Sequence, residues 1–249
     1  MKTSVIGRTV VLLERVASTN NYATSQVREN EVEEGTVFLA VNQTSGRGQQ
    51  SNRWESEDGK NLTFSIVLHP DFLEIKDQFL LSKAVCLGID AFLRKYVDQV
   101  SIKWPNDIYV GNKKICGILI ENAIMNGRFS SSVVGIGLNI NQATFVSDAP
   151  NPVSLFQLTG QTFDLKAVLQ ELLEQIDRYY CQLIDGNVGE INRLFEAKLF
   201  RLNSWHTFRD ENHEYRGRII GVNEIGQLKV EEESGLVNEY HFKEVSYLI

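Results

Sequence analysis

The chain has 249 residues, 43% hydrophobic and 23% charged, which supports one large domain or one large and one small, and is too apolar for disorder. A formal charge of −7 and a pI near 5.2 argue against sequence-independent nucleic-acid binding, which needs surplus Lys and Arg to displace counterions. Any anion site must therefore be a local cluster in an acidic molecule. No apolar run approaches the ~18 residues that span a bilayer, and Met1–Arg8 lacks a signal-peptide core. Cys86, Cys116 and Cys181 have no metal or disulfide spacing. The expectation is a cytoplasmic protein with reduced thiols and no membrane or nucleic-acid partner.

Val10–Leu13 reads as a short strand, and Ser18 or Thr19 as the cap of a helix running towards Arg28. Thr36–Asn42 reads as a buried strand and Gln43–Lys60, with its three glycines, as a long loop. Leu62, Phe64, Ile66 and Leu68 alternate with Asn61, Thr63, Ser65 and Val67, the period of a strand with one apolar face. Apolar residues at helical spacing from Phe79 to Val97 predict a long core helix over about Lys76–Asp98.

A meander follows, with strands near Asp107–Val110, Lys114–Ala123 and Phe129–Asn139. Gly111-Asn112 is read as a tight turn and Asn126-Gly127 as a type I′ hairpin turn. Asn141–Thr162, with Pro150 and Pro152, reads as loop. Leu165 to Leu183 marks a second long amphipathic helix, and Ile191 to Leu199 a third, shorter one. Beyond about Leu202 the chain turns to short strands: Trp205–Arg209, Tyr215–Val222, Gln227–Glu232, Leu236–Phe242 and Val245–Ile249. The expected architecture is α+β: a mixed sheet with helices packed on it over residues 1–201, then a small β-barrel over 202–249.

Lys103-Trp104-Pro105-Asn106-Asp107 joins a cation, an aromatic, a rigid Pro and two turn-prone oxygen ligands without a spacer. With Lys114 on the returning strand, this places two cations at opposite ends of one hairpin, which suits a negatively charged ligand. In Gln43-Thr44-Ser45-Gly46-Arg47-Gly48, the glycines permit close backbone approach and Arg47 offers a bidentate fork for phosphate or carboxylate. Trp54 adds a flat apolar face. Gly135 and Gly137 lie inside a strand, where glycine marks a bulge or a ligand lying against the backbone. The four histidines are scattered, and neither G-x-S-x-G nor a Walker loop occurs.

Taken in order, these segments resemble the biotin protein ligases (holocarboxylase synthetases). Ser18-Thr19-Asn20 matches the family's S-T-N, and Gln43 with Gly46-Arg47-Gly48 its Q-x-x-G-R-G, closed by Trp54. Lys103–Asp107 is the K-W-P-N-D signature. Lys114 with Gly117-Ile118-Leu119 matches K-x-x-G-I-L, and Gly135-x-Gly137-x-Asn139 matches G-x-G-x-N. The resemblance implies a class II synthetase-like biotin/lipoate ligase fold with a C-terminal SH3-like barrel. It also implies a two-step reaction: biotin and MgATP give biotinyl-5′-AMP and pyrophosphate, then a lysine of a biotin carboxyl carrier domain displaces AMP. ATP, Mg²⁺ and biotin are the expected ligands, with no tightly bound prosthetic group, and a homodimer is possible.

By the same resemblance Arg47 and Lys114 are the expected catalytic cations, on the carboxylate and α-phosphate oxygens. The biotin set is Ser18, Thr19, Asn20, Gln43, Arg47, Gly48, Gln49, Lys114, Gly117, Gly135 and Gly137. The ATP set is Arg47, Trp54, Lys103, Asn106, Lys114 and Asn139, with Asp107 on Mg²⁺. Gln49 and Asn52 stand where the family loop has arginines, so weaker retention of the adenylate is expected unless Arg53 compensates. The catalytic region begins almost at Met1, so no N-terminal DNA-binding domain and no repressor role are expected. The rival readings are a lipoate or octanoate ligase of the same fold, against which the K-W-P-N-D and G-R-G segments count, and a non-catalytic biotin-sensing regulator.

Overall fold

The computed structural model describes residues 3–48, 52–146 and 151–248. Strand β1 (Val10–Val16), helix α1 (Thr19–Glu29) and strand β2 (Val37–Gln43) form a crossover in which the two strands are parallel. Strand β3 (Leu62–Leu68), helix α2 (Phe79–Leu93) and strands β4 (Val100–Lys103), β5 (Asp107–Val110), β6 (Lys113–Met125) and β7 (Arg128–Leu138) complete a mixed sheet. Its order is β1-β2-β3-β7-β6-β5-β4, antiparallel throughout except for β1–β2. Helices α3 (Leu155–Thr159), α4 (Leu165–Ile184) and α5 (Val188–Glu196) precede a second, antiparallel sheet. Its strands are β8 (Trp205–Arg209), β9 (Glu214–Val222), β10 (Leu228–Glu232), β11 (Val237–Tyr240) and β12 (Ser246–Tyr247), in the order β11-β10-β9-β8-β12.

The large sheet is covered on both faces. On one, Leu62, Phe64, Ile66 and Leu68 of β3 join the apolar sides of α2 and α4 in the main core. Gly88 is what lets those helices approach, since a Cβ there would stand 2.6 Å from the Ile176 Cα. On the other face α1 lays Ala23 against Phe38, Val67 and Val133. Strand β3 is therefore buried along its whole length, and its polar positions Thr63 and Ser65 face the α1 side rather than solvent.

Ser18 is the α1 cap, extended at φ −154, its side chain accepting from the Asn21 amide. Asn126 and Gly127 take φ of 53 and 73, the positive pair a type I′ turn requires. Ahead of β1, the buried Asp177 of α4 accepts the backbone N–H groups of Ser4, Val5 and Ile6 at 2.7–2.8 Å.

Three expectations need correction. The helix expected over Lys76–Asp98 is α2, Phe79–Leu93, with a separate 3-10 turn at Ile75–Asp77. Arg94 closes its end by bonding both oxygens of Asp90 and the Val100 carbonyl. Tyr96 and Val97 still pack on the core from beyond that end, which is why the apolar period overran the helix. Next, β4 was not foreseen: four residues between Gln99 at φ 57 and a proline turn are too short to show a period. Finally, the segment read as loop from Asn141 contains α3, held by a Ser154/Gln157 capping box and ended by Gly160 at φ 71.

The small sheet has no separate core. Phe208, Ile219, Leu228 and Val230 belong to the same buried cluster as the large sheet's residues. Trp104, buried in the turn after β4, donates from Nε1 to the Gly226 carbonyl at 2.8 Å and meets Phe242 edge-on. The three cysteines are free thiols, and burial pushes Cys86 up to about 12. No helix among the described residues is long and apolar enough to cross a membrane.

Candidate active site

A cavity of about 560 Å³ opens on the α1 side of the large sheet. Gly117 of β6 and Gly135 and Gly137 of β7 form its floor. The first turn of α1 and the end of β2 form one wall, the turns around Lys103 and Lys114 another, and Phe242–Tyr247 of the small sheet a third. Among the described residues, five cations (Arg47, Arg53, Lys103, Lys114, Lys243) and one carboxylate (Asp107) line it. In a chain of net charge −7, this is the local cationic cluster the composition required.

At the helix end, the Thr19 amide and hydroxyl both point at Gln43 Oε1, at 2.9 and 3.2 Å. A backbone N–H can only donate, so the Gln43 oxygen faces Thr19 and its Nε2 is left as a donor at the base of the Gly46 turn. Ser65, directly under this group, lies within hydrogen-bond distance of Thr19 Oγ1 (2.8 Å) and Asn20 Oδ1 (2.6 Å). Asn20 Nδ2 donates to Leu119 O at 3.2 Å and Glu121 Oε2 at 2.8 Å. Asn20 also fills the space above Gly135, where any Cβ would collide with its Oδ1. The result is a fixed array of amides and hydroxyls suited to a compact polar ring.

Trp54 lies across the floor. Its indole is against Gly137, and a Cβ on Gly117 would stand 2.9 Å from its Cζ3. Both glycines are thus required by the indole, whereas the sequence reading reserved the strand at Gly135 and Gly137 for the ligand chain. The indole Nε1 is buried without a partner. The loop is drawn together by Gly48 N–Asn52 O (2.7 Å) and Trp54 N–Gly46 O (3.0 Å) hydrogen bonds. Gln49 lies outside the described residues.

The two lysines are not at opposite ends of a hairpin. Lys103 ends β4 opposite Asp107, and a bulge between Ile108 and Tyr109 shifts the β5–β6 register. Lys114 Nζ reaches Asp107 Oδ1 at 2.7 Å and stands 5.7 Å from the Trp54 ring centroid. Both lysines consequently line one cavity. Lys103 Nζ sits between the rings of Tyr109 and Tyr247, 4.8 and 4.9 Å from their centroids, and donates to the Tyr109 hydroxyl at 3.1 Å. Burial holds its ammonium below the usual lysine value, opposed by the Asp107 charge. Burial likewise raises Tyr109 and Tyr247, so both phenols stay neutral.

Arg47 lines the cavity, but its guanidinium turns to the rim, pairing with Glu121 at 2.9 Å and donating to Asn21 Oδ1. Asn106 faces the cavity, while its Nδ2 bonds the Ile118 carbonyl and its own carbonyl accepts the Ile118 N–H at 3.1 Å, so it braces the turn on β6. Asp107 is committed to Lys114. Asn139 is the described residue of the expected set that does not line the cavity. It is buried, with Nδ2 on the Val153 carbonyl at 3.0 Å and Oδ1 without a partner. No group of three or more His, Cys, Asp or Glu converges among the described residues.

Sequence reasoning missed Ser65, Glu121, Tyr109 and the Phe242–Tyr247 wall. Ser65 sat in an alternating strand whose polar face carried no sign of being buried. Tyr247 is non-local, brought in only by the docking of the small sheet.

The family model for biotin/lipoate A/B protein ligases matches residues 12–139. The bifunctional ligase/repressor BirA of Bacillus spizizenii is 32% identical over 248 residues, covering 96% of this chain and 74% of that protein. A biotin–[acetyl-CoA-carboxylase] ligase of Paracoccus denitrificans is 28% identical over 76% of this chain and 81% of its own length. Among solved structures, the Aquifex aeolicus biotin protein ligase in complex with biotin and ATP superposes with a TM-score of 0.79. It is 28% identical and is covered over 98% of its length by 96% of this chain. The chain belongs to the biotin/lipoate A/B protein ligase family.

Proposed function

We propose that this chain is a biotin protein ligase. It joins biotin to ATP as biotinyl-5′-AMP and passes the biotinyl group to a lysine of a carboxylase's biotin carrier domain in the cytoplasm. One observation carries the reading: a single cavity holds an oriented amide–hydroxyl array at one end and an excess of cations at the other. The array matches a ureido ring, which has one acceptor and two donors. Gln43 Nε2 faces the ureido oxygen, and the free lone pair of Asn20 Oδ1 faces a ureido N–H. An octanoyl or lipoyl chain offers nothing to these groups.

In the first step a biotin carboxylate oxygen bonds to the α-phosphorus while the bond to the pyrophosphate oxygen breaks. Two anions must meet, and a unit charge pair at ~4 Å and an effective dielectric of ~20 is worth about 4 kcal/mol. We assign Lys114 to the α-phosphate and carboxylate oxygens and Lys103, with Lys243, to the leaving pyrophosphate; preorganised cations lower the barrier without a covalent enzyme intermediate. Mg²⁺, when bound with the nucleotide, would offset phosphate charge, and Asp107, the carboxylate lining the cavity among the described residues, is the side chain that would hold it, in exchange for its pairing with Lys114. The orphaned Asn139 Oδ1 is a buried acceptor suited to the adenine amino group. In the second step the carrier lysine attacks the acyl carbon and AMP leaves.

The test is to incubate the protein with biotin, ATP, Mg²⁺ and a biotin carrier domain and weigh the carrier. A gain of one biotinyl group is expected. No gain, or gain from octanoate or lipoate instead, overturns the reading.

A further inference from the structure

Glu121 stands on β6 on the same face as Gly117, yet it lines a neighbouring groove and not the cavity. Both of its oxygens are engaged. Oε2 accepts from Asn20 Nδ2 at 2.8 Å and from Arg47 Nη1 at 3.4 Å, and Oε1 accepts from Arg47 Nη2 at 2.9 Å. An ionised carboxylate only accepts, as does the Leu119 carbonyl that shares Asn20 Nδ2. The Asn20 amide therefore cannot flip: Nδ2 faces β6, and Oδ1 faces Ser65 and the cavity. No other carboxylate touches Asn20 or Arg47 among the described residues.

We propose that Glu121 is a positioning residue of the ligase reaction, fixing through Asn20 the acceptor offered to the ring of the acid substrate and holding through Arg47 the arginine of the glycine turn. It touches neither substrate nor reacting atoms, and acts by dictating which way two other side chains face. The assignment rests on the biotin reading above. It accounts for an acidic residue beside the loop arginine of an anion-binding cavity, where a carboxylate would otherwise oppose binding.

The two contacts are separable by mutation. Glu121→Ala removes both. Glu121→Gln is isosteric, keeps an oxygen for Asn20, and loses the charge that pairs with Arg47. The parent is first assayed for acyl-adenylate formation with biotin, octanoate and lipoate; the Glu121 series is then measured with the acid it activates. If that acid is not biotin the function reading fails, and the positioning role is still tested.

Glu121→Ala is expected to raise KM for the acid roughly fivefold to tenfold, the loss of one orienting hydrogen bond, with kcat within twofold of the parent. Glu121→Gln is expected to raise KM about twofold at low salt, with the difference from the parent shrinking as salt is added, as loss of an exposed ion pair should. In an Arg47→Gln background, Glu121→Gln adds nothing while Glu121→Ala still raises KM. An Ala variant with KM within twofold of the parent, a Gln variant as impaired as the Ala variant, or full additivity of Glu121→Gln with Arg47→Gln overturns the proposal.

Discussion

Replacing Lys103 by Met separates the chemistry of the cavity from the stability of the fold. The ammonium is held by two tyrosine rings and one hydroxyl and makes no salt bridge among the described residues. Met keeps most of the side-chain volume and contact with the rings. What is lost is two cation–π contacts, each about 0.5–1 kcal/mol, and one hydrogen bond of about 1 kcal/mol. What is gained is relief from burying a charge, the same effect that holds this lysine below its usual value. These opposing terms nearly cancel, so unfolding free energy should stay within about 1 kcal/mol of the parent. Adenylation should not. Removing one preorganised charge donor costs 10²–10³ in rate, and with Lys114 and Lys243 sharing the load we expect about 10²-fold. The assay is single-turnover pyrophosphate release beside a urea melt. A pH series adds a sign. A lysine with a lowered folded value favours folding more as pH rises from that value towards the ordinary 10.5, while its charge, and the rate it supports, fall over the same window. The parent-minus-variant difference should therefore show stability rising and activity falling together with pH. A variant within fivefold of the parent rate, or one that unfolds several kcal/mol more easily, would refute the reasoning.

Lys114→Ala should lower the adenylation rate about 10²–10³-fold, read by the same pyrophosphate assay, with Asp107 left as an unpaired carboxylate in the cavity. Gly137→Ala places a methyl group against the Trp54 indole and should expel it, seen as a red-shifted, more quenchable Trp fluorescence and a loss of about tenfold to a hundredfold in rate. Asp177→Asn leaves one oxygen for three backbone N–H groups and should cost about 1–3 kcal/mol in a urea melt. Its kcat below the transition should be unchanged.

Signals that depend on neighbouring residues were the ones legible in the chain. The Ser18 cap, the Asn126-Gly127 turn and the apolar stripe of α4 are each decided within a few residues, and the structure has them where local chemistry puts them. The Ser154/Gln157 capping box was equally local and was passed over because Pro150 and Pro152 drew the segment towards loop. The site was legible as a set of residues and not as a set of contacts. That Lys103 and Lys114 meet depends on a bulge in β5–β6 pairing, which no residue between them announces. That Arg47 turns outward depends on Glu121, far along the chain and on another strand. Tyr247 becomes a wall of the cavity through the docking of the small sheet, to which the Trp104–Gly226 bond and the Phe200–Tyr247 contact both contribute.

The segment Lys103–Asp107 is better understood as a junction than as a row of ligands. Its five residues act in different directions. Lys103 points into the cavity between rings from both sheets, while Trp104 points away from the chemistry and binds the small sheet through Gly226 and Phe242. Pro105 follows a cis bond in the turn, Asn106 ties that turn to β6 at Ile118, and Asp107 returns to the cavity to hold Lys114. A change at Trp104 would thus move Tyr247, and through it Lys103, without touching a ligand. The density of unusual residues in this run follows from that geometry: the cavity, the small sheet, β6 and Lys114 each make a different demand on one turn, met by Lys103, Trp104, Asn106 and Asp107.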